Sequence, residues 1–376
     1  MKVGLNLVYL VEDSGGSGTY ARHLTASLLE VEPGLELTAW IGSSAPESLL
    51  REPWAERVRW VRLPVVGIGS PWHLWHELAA IGFDARRRGI EVVHGLANIN
   101  PVVHPGVATV TTILDVIWAH HPEAASTRFR MMGKLVTPVV GRASTRLVAI
   151  SEAARDDVAA TLGLDREKFD VTPLGIDPPP PRASAPDRAA VAARLGLSEQ
   201  PVVLCLAAKR AHKNLHGLIR AWALLAERPG QLVLPGSPNA YEQDLRELAG
   251  TLGVQDSVRF LGWLSAEDVE DLYAIAACFV LPTFLEGFGL PVLEAMARGV
   301  PVACSDIGAL REVAGDAALF FDPHAPESIA AAIERLMSDA PLRAELVERG
   351  RARCALFTWQ RTARATLESY RRALGS

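Results

Sequence analysis

Short apolar runs alternate with helical segments along this chain, and four consecutive prolines at Pro178–Pro181 interrupt the alternation once. Apolar runs separated by amphipathic helices are typical of parallel sheets covered by helices. Proline lacks an amide hydrogen and favours an extended backbone, so we interpret residues 173–186 as a linker. The 376 residues exceed the roughly 250–300 at which a single core stops growing. The sequence therefore predicts two α/β domains, residues 1–180 and 181–357.

The apolar runs also predict individual strands and helices. In the first domain we expect strands at Val3–Leu10, Leu35–Ile41, Val58–Leu63, Val92–His94, Ala108–Leu114 and Arg146–Ile150. In the second we expect them at Pro201–Ala207, Gln231–Leu234, Ser257–Phe260, Cys278–Leu281, Pro301–Ser305 and Ala318–Phe321. Gly15–Gly18 predicts a tight turn before a helix over Thr19–Glu30. Ser265 and Asp268 predict a capping box. Open parallel sheets bind ligands at the carboxyl ends of their strands, which predicts a cleft between the domains.

Composition and charge exclude several classes of protein. A net charge of −5 argues against a nucleic-acid-binding protein. The four cysteines form no Cys-x-x-Cys pair, so we expect buried thiols in a reducing cytoplasm. No uncharged apolar run reaches about 18 residues, so no transmembrane helix is expected. No cluster of metal ligands is evident, and we predict a cytoplasmic protein without a metal ion or other cofactor.

The strongest functional signal is the segment from Phe284 to Pro301, FLEGFGLPVLEAMARGVP, which follows an apolar run. Pro291 suits the first turn of a helix, and the preceding glycines allow backbone amides to approach a ligand closely. A helix N-terminus presents unpaired N–H groups and partial positive charge. Glu286 and Glu294 flank this start, where each carboxylate can accept hydrogen bonds from neighbouring hydroxyls of a sugar or ribose. The alternative is two solvated glutamates beside a helix.

A cationic loop provides a second signal. It contains Lys209, Arg210 and Lys213 and follows the first predicted strand of the second domain. Positive charge between a strand end and a helix suits a diphosphate, although a solvated basic turn would have the same composition. The Gly-rich sequence Gly15–Gly18 is a weaker signal, because any tight turn selects glycine.

These segments resemble the E-x7-E motif and its surroundings in the family-4 retaining glycosyltransferases. That family has the GT-B fold, an α/β architecture of two Rossmann-like domains with an interdomain cleft. Val258–Trp263, Gly299–Val302 and Gly315–Ala318 also resemble the family, and the similarity covers nearly the whole chain. It implies a nucleoside diphosphate sugar as co-substrate, with a saccharide or lipid-linked acceptor. It also implies that the helix at Thr358–Ala373, within residues 358–376, packs back on the first domain.

The resemblance further assigns roles to single residues. Glu286, Lys213 and Asp115 are the catalytic candidates. The candidates for binding the donor are Gly16, Lys209, Arg210, Gly287, Phe288, Gly289, Leu290 and Glu294, with Glu294 on the ribose. His94 and His121 are candidates for contacts with the acceptor or the sugar.

Two positions depart from the family pattern. Leu114 stands where the family often has a histidine that lines the donor site, and Asp115, His120 or His121 would have to compensate. Ala207 and Ala208 stand where many members have an arginine, so Lys209 or Arg210 would supply that charge.

Residues 128–146 mix basic and apolar side chains. We favour an amphipathic helix that packs on its own domain and exposes a solvated basic face. The alternative is peripheral contact with the inner face of a membrane or with a lipid-linked acceptor.

The function we expect is transfer of a hexose, mannose by analogy, with retention at the anomeric carbon. Hydrolysis or epimerisation of a sugar nucleotide by the two glutamates is a second hypothesis. A non-catalytic sugar-nucleotide binder is a third, motivated by Leu114 and Ala208.

Overall fold

The protein divides into two compact units in a computed structural model that describes residues 1–11, 15–65, 71–124, 126–181, 184, 186–226 and 228–375. Unit 1 comprises Met1–Gly175 and Phe357–Ser376, and unit 2 comprises Ile176–Leu356. Of the predicted linker, Arg182, Ala183 and Ala185 lie outside the described residues.

Unit 1 contains a parallel sheet with the strand order β3-β2-β1-β4-β5-β6-β7 within the described residues. The strands are β1 (Lys2–Asn6), β2 (Glu36–Ile41), β3 (Val58–Arg62), β4 (Val92–Gly95), β5 (Ala108–Thr112), β6 (Arg146–Ala149) and β7 (Phe169–Val171). The helices are α1 (Gly15–Val31), α2 (Glu47–Leu50), α3 (Pro71–Trp75), α4 (Ile81–Arg87), α5 (Ile117–His120), α6 (Thr127–Leu135), α7 (Thr137–Ala143) and α8 (Glu152–Leu162). A π-helical turn, His76–Ala80, joins α3 to α4.

Unit 2 contains a second parallel sheet, with the order β10-β9-β8-β11-β12-β13 in the part of the chain that the structure describes. Its strands are β8 (Val202–Leu204), β9 (Gln231–Leu234), β10 (Val258–Phe260), β11 (Ala276–Leu281), β12 (Val302–Ser305) and β13 (Ala318–Phe321). Its helices are α9 (Arg188–Arg194), α10 (Leu215–Leu224), α11 (Ala240–Thr251), α12 (Ala266–Ile275), α13 (Leu290–Ala297), α14 (Gly308–Ala314), α15 (Pro326–Ser338) and α16 (Ala340–Cys354). The predicted capping box of Ser265 and Asp268 opens α12.

The C-terminal helix α17 (Trp359–Leu374) is part of unit 1. Its first residue stacks on His23 of α1, with ring centroids 4.9 Å apart. The Thr362 hydroxyl donates to the carbonyl oxygen of Pro173 over 2.6 Å. Because Tyr370 is fully buried beside β4 and β5, the last helix completes the core of the unit that the N-terminal strands begin.

Two predictions near the N-terminus are wrong in detail. Strand β1 ends at Asn6 rather than Leu10, because the Asn6 side chain accepts the Val8 amide over 3.2 Å and the backbone turns there. The predicted tight turn at Gly15–Gly18 is instead the first turn of α1.

A third correction concerns α6. We expected its apolar side chains to pack on their own domain, yet Met131 is 59% exposed and Leu135 is 65% exposed. Gly133 takes the inward position instead, since a Cβ atom there would lie 2.4 Å from the Trp118 ring. Among the described residues, no helix is both long enough and apolar enough to cross a membrane.

Candidate functional site

The candidate site of unit 2 lies where the strand order of its sheet reverses. Strands β8 and β11 are neighbours, although two strands separate them in sequence. In open α/β sheets such a switch point opens a crevice at the carboxyl ends of the two strands. The loops that follow β8 and β11 carry the basic and the Gly-rich predicted segments, so the topology brings the two signals together.

Hydrogen bonds hold these two loops against each other. The His212 carbonyl oxygen accepts the backbone amide of Phe284 over 2.8 Å and the hydroxyl of Thr283 over 3.0 Å. Thr283 is fully buried, which fixes the contact in the interior of the unit. Lys213 directly follows His212, and Glu286 lies two residues after Phe284, so these bonds bring the two charged residues close together.

Lys213 and Glu286 form a close ion pair. The Lys213 ammonium donates to Glu286 Oε1 over 2.5 Å, and their side chains are 15% and 11% exposed. Each group keeps further capacity, because an ammonium has three donors and a carboxylate has two accepting oxygens. The pair is neutral as a whole, so any net attraction for a diphosphate must come from other groups nearby.

The start of helix α13 supplies such an attraction. Gly289 is the N-cap residue, with φ 106°, and Pro291 occupies the first turn. Because glycine has no side chain, the N-terminal amides of α13 are not capped by it, and they carry the partial positive charge of a helix N-terminus. A Cβ atom on Gly289 would lie 2.3 Å from Leu310 Cδ2, so only glycine fits this position.

Glu294 lies on α13 in a buried polar network. The Tyr273 hydroxyl donates to its Oε2 atom over 3.1 Å. The Arg298 guanidinium lies 5.0 Å from the centre of the Tyr273 ring and pairs with Glu270. Burial raises the pKa of Glu294, while the Tyr273 hydroxyl and the Arg298 charge oppose that rise.

Of the other cations in the loop after β8, one is internal and one is accessible. The Lys209 ammonium is fully buried and donates to Glu242 and to the carbonyl oxygens of Gly236 and Leu261, at 2.6, 2.6 and 3.2 Å. Lys209 was predicted to bind the donor, but all three of its donors hold internal acceptors, so it braces the loop instead. Arg210 is exposed beside Ala208.

In unit 1, the predicted residue His94 is buried, whereas the predicted residue Gly16 is exposed. His94 is fully buried and bonds Tyr370 and Thr112, each over 2.8 Å. Burial lowers its pKa to about 3, so it is a neutral core residue and not the contact group that we predicted. Gly16 is exposed in the first turn of α1, and a Cβ atom there would meet nothing within 4 Å. Packing within the protein therefore does not require the glycine.

The remaining predicted residues follow β5. Asp115 is half-buried and accepts the amide of Ile117, the first residue of α5, over 3.1 Å. His121 bonds Glu123 over 3.0 Å through Nδ1. The amide of Leu114 donates to Asn98 Oδ1 over 3.0 Å, so the departure at Leu114 affects only a side chain. No group of three or more potential metal ligands occurs within the described ranges.

Comparison with known proteins decides the family. Residues 187–353 match the model of glycosyl transferases group 1, and residues 14–179 match that of Glycosyltransferase Family 4. A D-inositol 3-phosphate glycosyltransferase of Kineococcus radiotolerans is 34% identical over 80% of this chain and 71% of that protein. The chain belongs to the family-4 glycosyltransferases.

Two other relatives of this family-4 glycosyltransferase are named as mannosyltransferases. O-antigen chain mannosyltransferase B of Escherichia coli is 31% identical over 70% of both chains. An MMP α-(1→4)-mannosyltransferase of Mycolicibacterium hassiacum is 29% identical over 96% of this chain and 95% of that one. Among solved structures, Anabaena HepE in complex with UDP and glucose superimposes with a TM-score of 0.77 at 19% identity, covering 98% of each chain. This similarity confirms the predicted GT-B fold of two Rossmann-like domains.

Sequence reasoning missed two residues of this glycosyltransferase that support its predicted loops. Tyr273, the partner of Glu294, was not among the residues that the sequence singled out. Asn98 has φ 62°, which is uncommon for a non-glycine residue, and it joins the loops after β4 and β5. The only sequence signal for Asn98 is its residue type at a position shortly after a strand, because asparagine tolerates the left-handed region of backbone conformation.

Proposed function

We propose that the protein is a retaining hexosyltransferase that transfers mannose from a nucleoside diphosphate sugar to a saccharide or lipid-linked saccharide. The single observation that carries the proposal is the Lys213–Glu286 pair at the uncapped start of α13. Mannose is favoured because the Escherichia coli and Mycolicibacterium hassiacum relatives are mannosyltransferases by name.

In this proposal different residues of the site bind different parts of the donor. Lys213, Arg210 and the amides of Gly289 and Leu290 bind the diphosphate, where the helix N-terminus adds positive charge. Glu286, with the backbone of Gly287 and Phe288, accepts hydroxyl groups of the sugar. Glu294 accepts the ribose hydroxyls and is oriented by Tyr273. Cationic and backbone donors of this kind can stabilise a leaving diphosphate without a metal ion.

The chemical step that we propose exchanges one bond for another on the same face of the sugar. The bond between the anomeric carbon and the diphosphate oxygen breaks, and the acceptor oxygen bonds to that carbon. The acceptor proton passes to the departing phosphate oxygen, so no protein nucleophile is needed. Lys213 and the α13 amides hold the negative charge that develops on the diphosphate. In unit 1, Gly16 leaves room for substrate, and Asp115 and His121 are candidates for acceptor contacts.

The test is a pair of substitutions that should separate nucleotide binding from transfer. Lys213→Met leaves an unpaired carboxylate beside the diphosphate, so we expect nucleoside diphosphate affinity to fall by about 2–3 kcal/mol, roughly 30- to 150-fold. Glu286→Gln removes a negative charge, so nucleotide affinity should hold or rise while transfer is lost. The double variant should bind nucleotide better than Lys213→Met alone. Glu327→Gln, an exposed glutamate at the start of α15, is the matched control.

The measurements are calorimetric titration with nucleoside diphosphates and transfer of labelled sugar, with and without a chelator. Release of free sugar faster than transfer would favour a hydrolase. Donor binding without turnover on any acceptor would favour a non-catalytic binder. Full transferase activity of Glu286→Gln would contradict the proposed site.

A further inference from the structure

The connection between β5 and β6 concentrates positive charge. Residues 124–151 contain no aspartate or glutamate, although the whole chain carries a net charge of −5. Their basic residues are Arg128, Arg130, Lys134, Arg142 and Arg146. Arg146 pairs with Asp170, and Arg142 donates to the carbonyl oxygen of Leu162, so those two face their own domain. The basic residues of α6 remain as the cationic part of the surface.

Large apolar side chains share this surface. Met131, Leu135 and Val139 follow one another at intervals of four residues and are 59%, 65% and 52% exposed. Met131 and Leu135, four residues apart, lie on the same side of α6, opposite the side where Gly133 meets Trp118. Val139 lies on the following helix, α7. Phe129 is half-exposed, but it precedes Gly133 by four residues and so lies on the packed side of α6. We call Arg128, Met131, Lys134, Leu135 and Val139 the basic apolar surface.

This combination identifies the chemistry of a partner. A single exposed apolar side chain is ordinary, but a contiguous apolar stripe marks an interaction surface. An acidic protein partner would explain the charges and leave the apolar stripe unexplained, whereas a second copy of this chain would juxtapose like charges. An anionic bilayer satisfies both features, because acyl chains accept the apolar side chains and headgroups pair with the cations.

We propose that the basic apolar surface docks the protein on an anionic lipid bilayer. The surface begins at Arg128, 16 residues after β5 ends at Thr112, on the connection that leaves the carboxyl edge of the first sheet, where Asp115 lies. Docking would therefore hold that edge close to the membrane. If the proposed function is right, a lipid-linked saccharide becomes the favoured acceptor, and that consequence alone rests on it.

The experiment measures partition of the full-length protein onto vesicles. Vesicles with about 30% phosphatidylglycerol in phosphatidylcholine should bind the protein at least tenfold more tightly than pure phosphatidylcholine, and added salt should weaken the binding. Arg128→Gln and Lys134→Gln should each lower the partition coefficient about fivefold, the contribution of one basic residue near an anionic surface. Met131→Ser with Leu135→Ser should abolish binding at any salt concentration.

Matched controls come from unit 2, where Arg220→Gln on α10 and Leu252→Ser after α11 change exposed residues of the same kinds. Both controls should bind vesicles as the unaltered protein does. All surface variants should keep nucleotide affinity and transfer to a soluble acceptor, so failure to dock is distinguishable from failure of the donor site. Equal binding to both kinds of vesicle, no binding, or self-association through this surface in light scattering would each overturn the proposal.

Discussion

Replacing Gly289 by alanine tests the helix start that the site depends on. The residue has φ 106°, and a Cβ atom would lie 2.3 Å from Leu310 Cδ2, whose side chain is fully buried. The left-handed backbone costs a non-glycine residue roughly 1–2 kcal/mol. Moving Leu310 within a packed core costs a further 1–3 kcal/mol or so. The lower entropy of the unfolded alanine chain offsets about 0.5 kcal/mol. We therefore expect unit 2 to lose about 2–4 kcal/mol.

Urea-dependent hydrogen exchange resolves this loss, because peptides of unit 1 serve as an internal reference in the same sample. Gly289→Ala should increase exchange in peptides from α13 and α14 and leave β1 and β4 unchanged. Gly16→Ala is the matched control, since its added methyl group meets nothing within 4 Å. It should keep the stability of unit 1 and impair only substrate binding. Wild-type stability of Gly289→Ala would refute the described geometry of the helix start.

Three further predictions concern buried polar groups. Lys209→Met should destabilise unit 2 by about 3 kcal/mol in urea unfolding, because Glu242 loses a buried partner, whereas exposed Arg210→Met should change stability by less than about 0.5 kcal/mol. Tyr273→Phe should weaken sugar-nucleotide binding by about 1 kcal/mol and raise the pH at which binding begins to fail, because the pKa of Glu294 rises further; unchanged calorimetric titrations from pH 5 to 8 would contradict this. His94 is neutral when folded but takes up a proton below about pH 6.5 when unfolded. Because the folded-state pKa is lowered to about 3, the free energy of unfolding should fall by about 2 kcal/mol when the pH is lowered from 7.5 to 5. In urea unfolding, His94→Gln should show a smaller fall over the same pH range.

The sheet architecture follows closely from apolar periodicity. Strands β9 and β13 occupy the predicted residues, because both are short runs with clear ends that are apolar except for Gln231. Strand β7 was missed, since it spans only Phe169–Val171 and carries Asp170, a charged residue that normally argues against a buried strand. Arg146 of the neighbouring strand neutralises that carboxylate, and no local pattern could reveal such a partner.

The geometry of the candidate site was predictable where it depends on neighbouring residues and unpredictable where it depends on distant partners. The glycine-rich start of α13, with Glu286 before it, is encoded within a few residues. Lys209 was misassigned because its acceptors Glu242, Gly236 and Leu261 lie 27 to 52 residues further along the chain. His94 was misassigned because Tyr370, its partner, lies 276 residues away in the last helix.

The exposed face of α6 shows another limit of periodicity. Spacing identifies which residues share a side of a helix, but it does not reveal which side the protein covers. Gly133 allows Trp118 to approach closely, and this contact turns Met131 and Leu135 outward. A single glycine such as Gly133 does not indicate from the sequence which side of the helix packs against the protein.

The most direct measurement is a crystal structure of the protein with a bound nucleoside diphosphate sugar. The account predicts the two phosphates within hydrogen-bonding distance of the Lys213 ammonium and the amides of Gly289 and Leu290, with Glu286 on the sugar and Glu294 on the ribose. Phosphates bound elsewhere, with the Lys213–Glu286 pair facing no part of the ligand, would contradict the account.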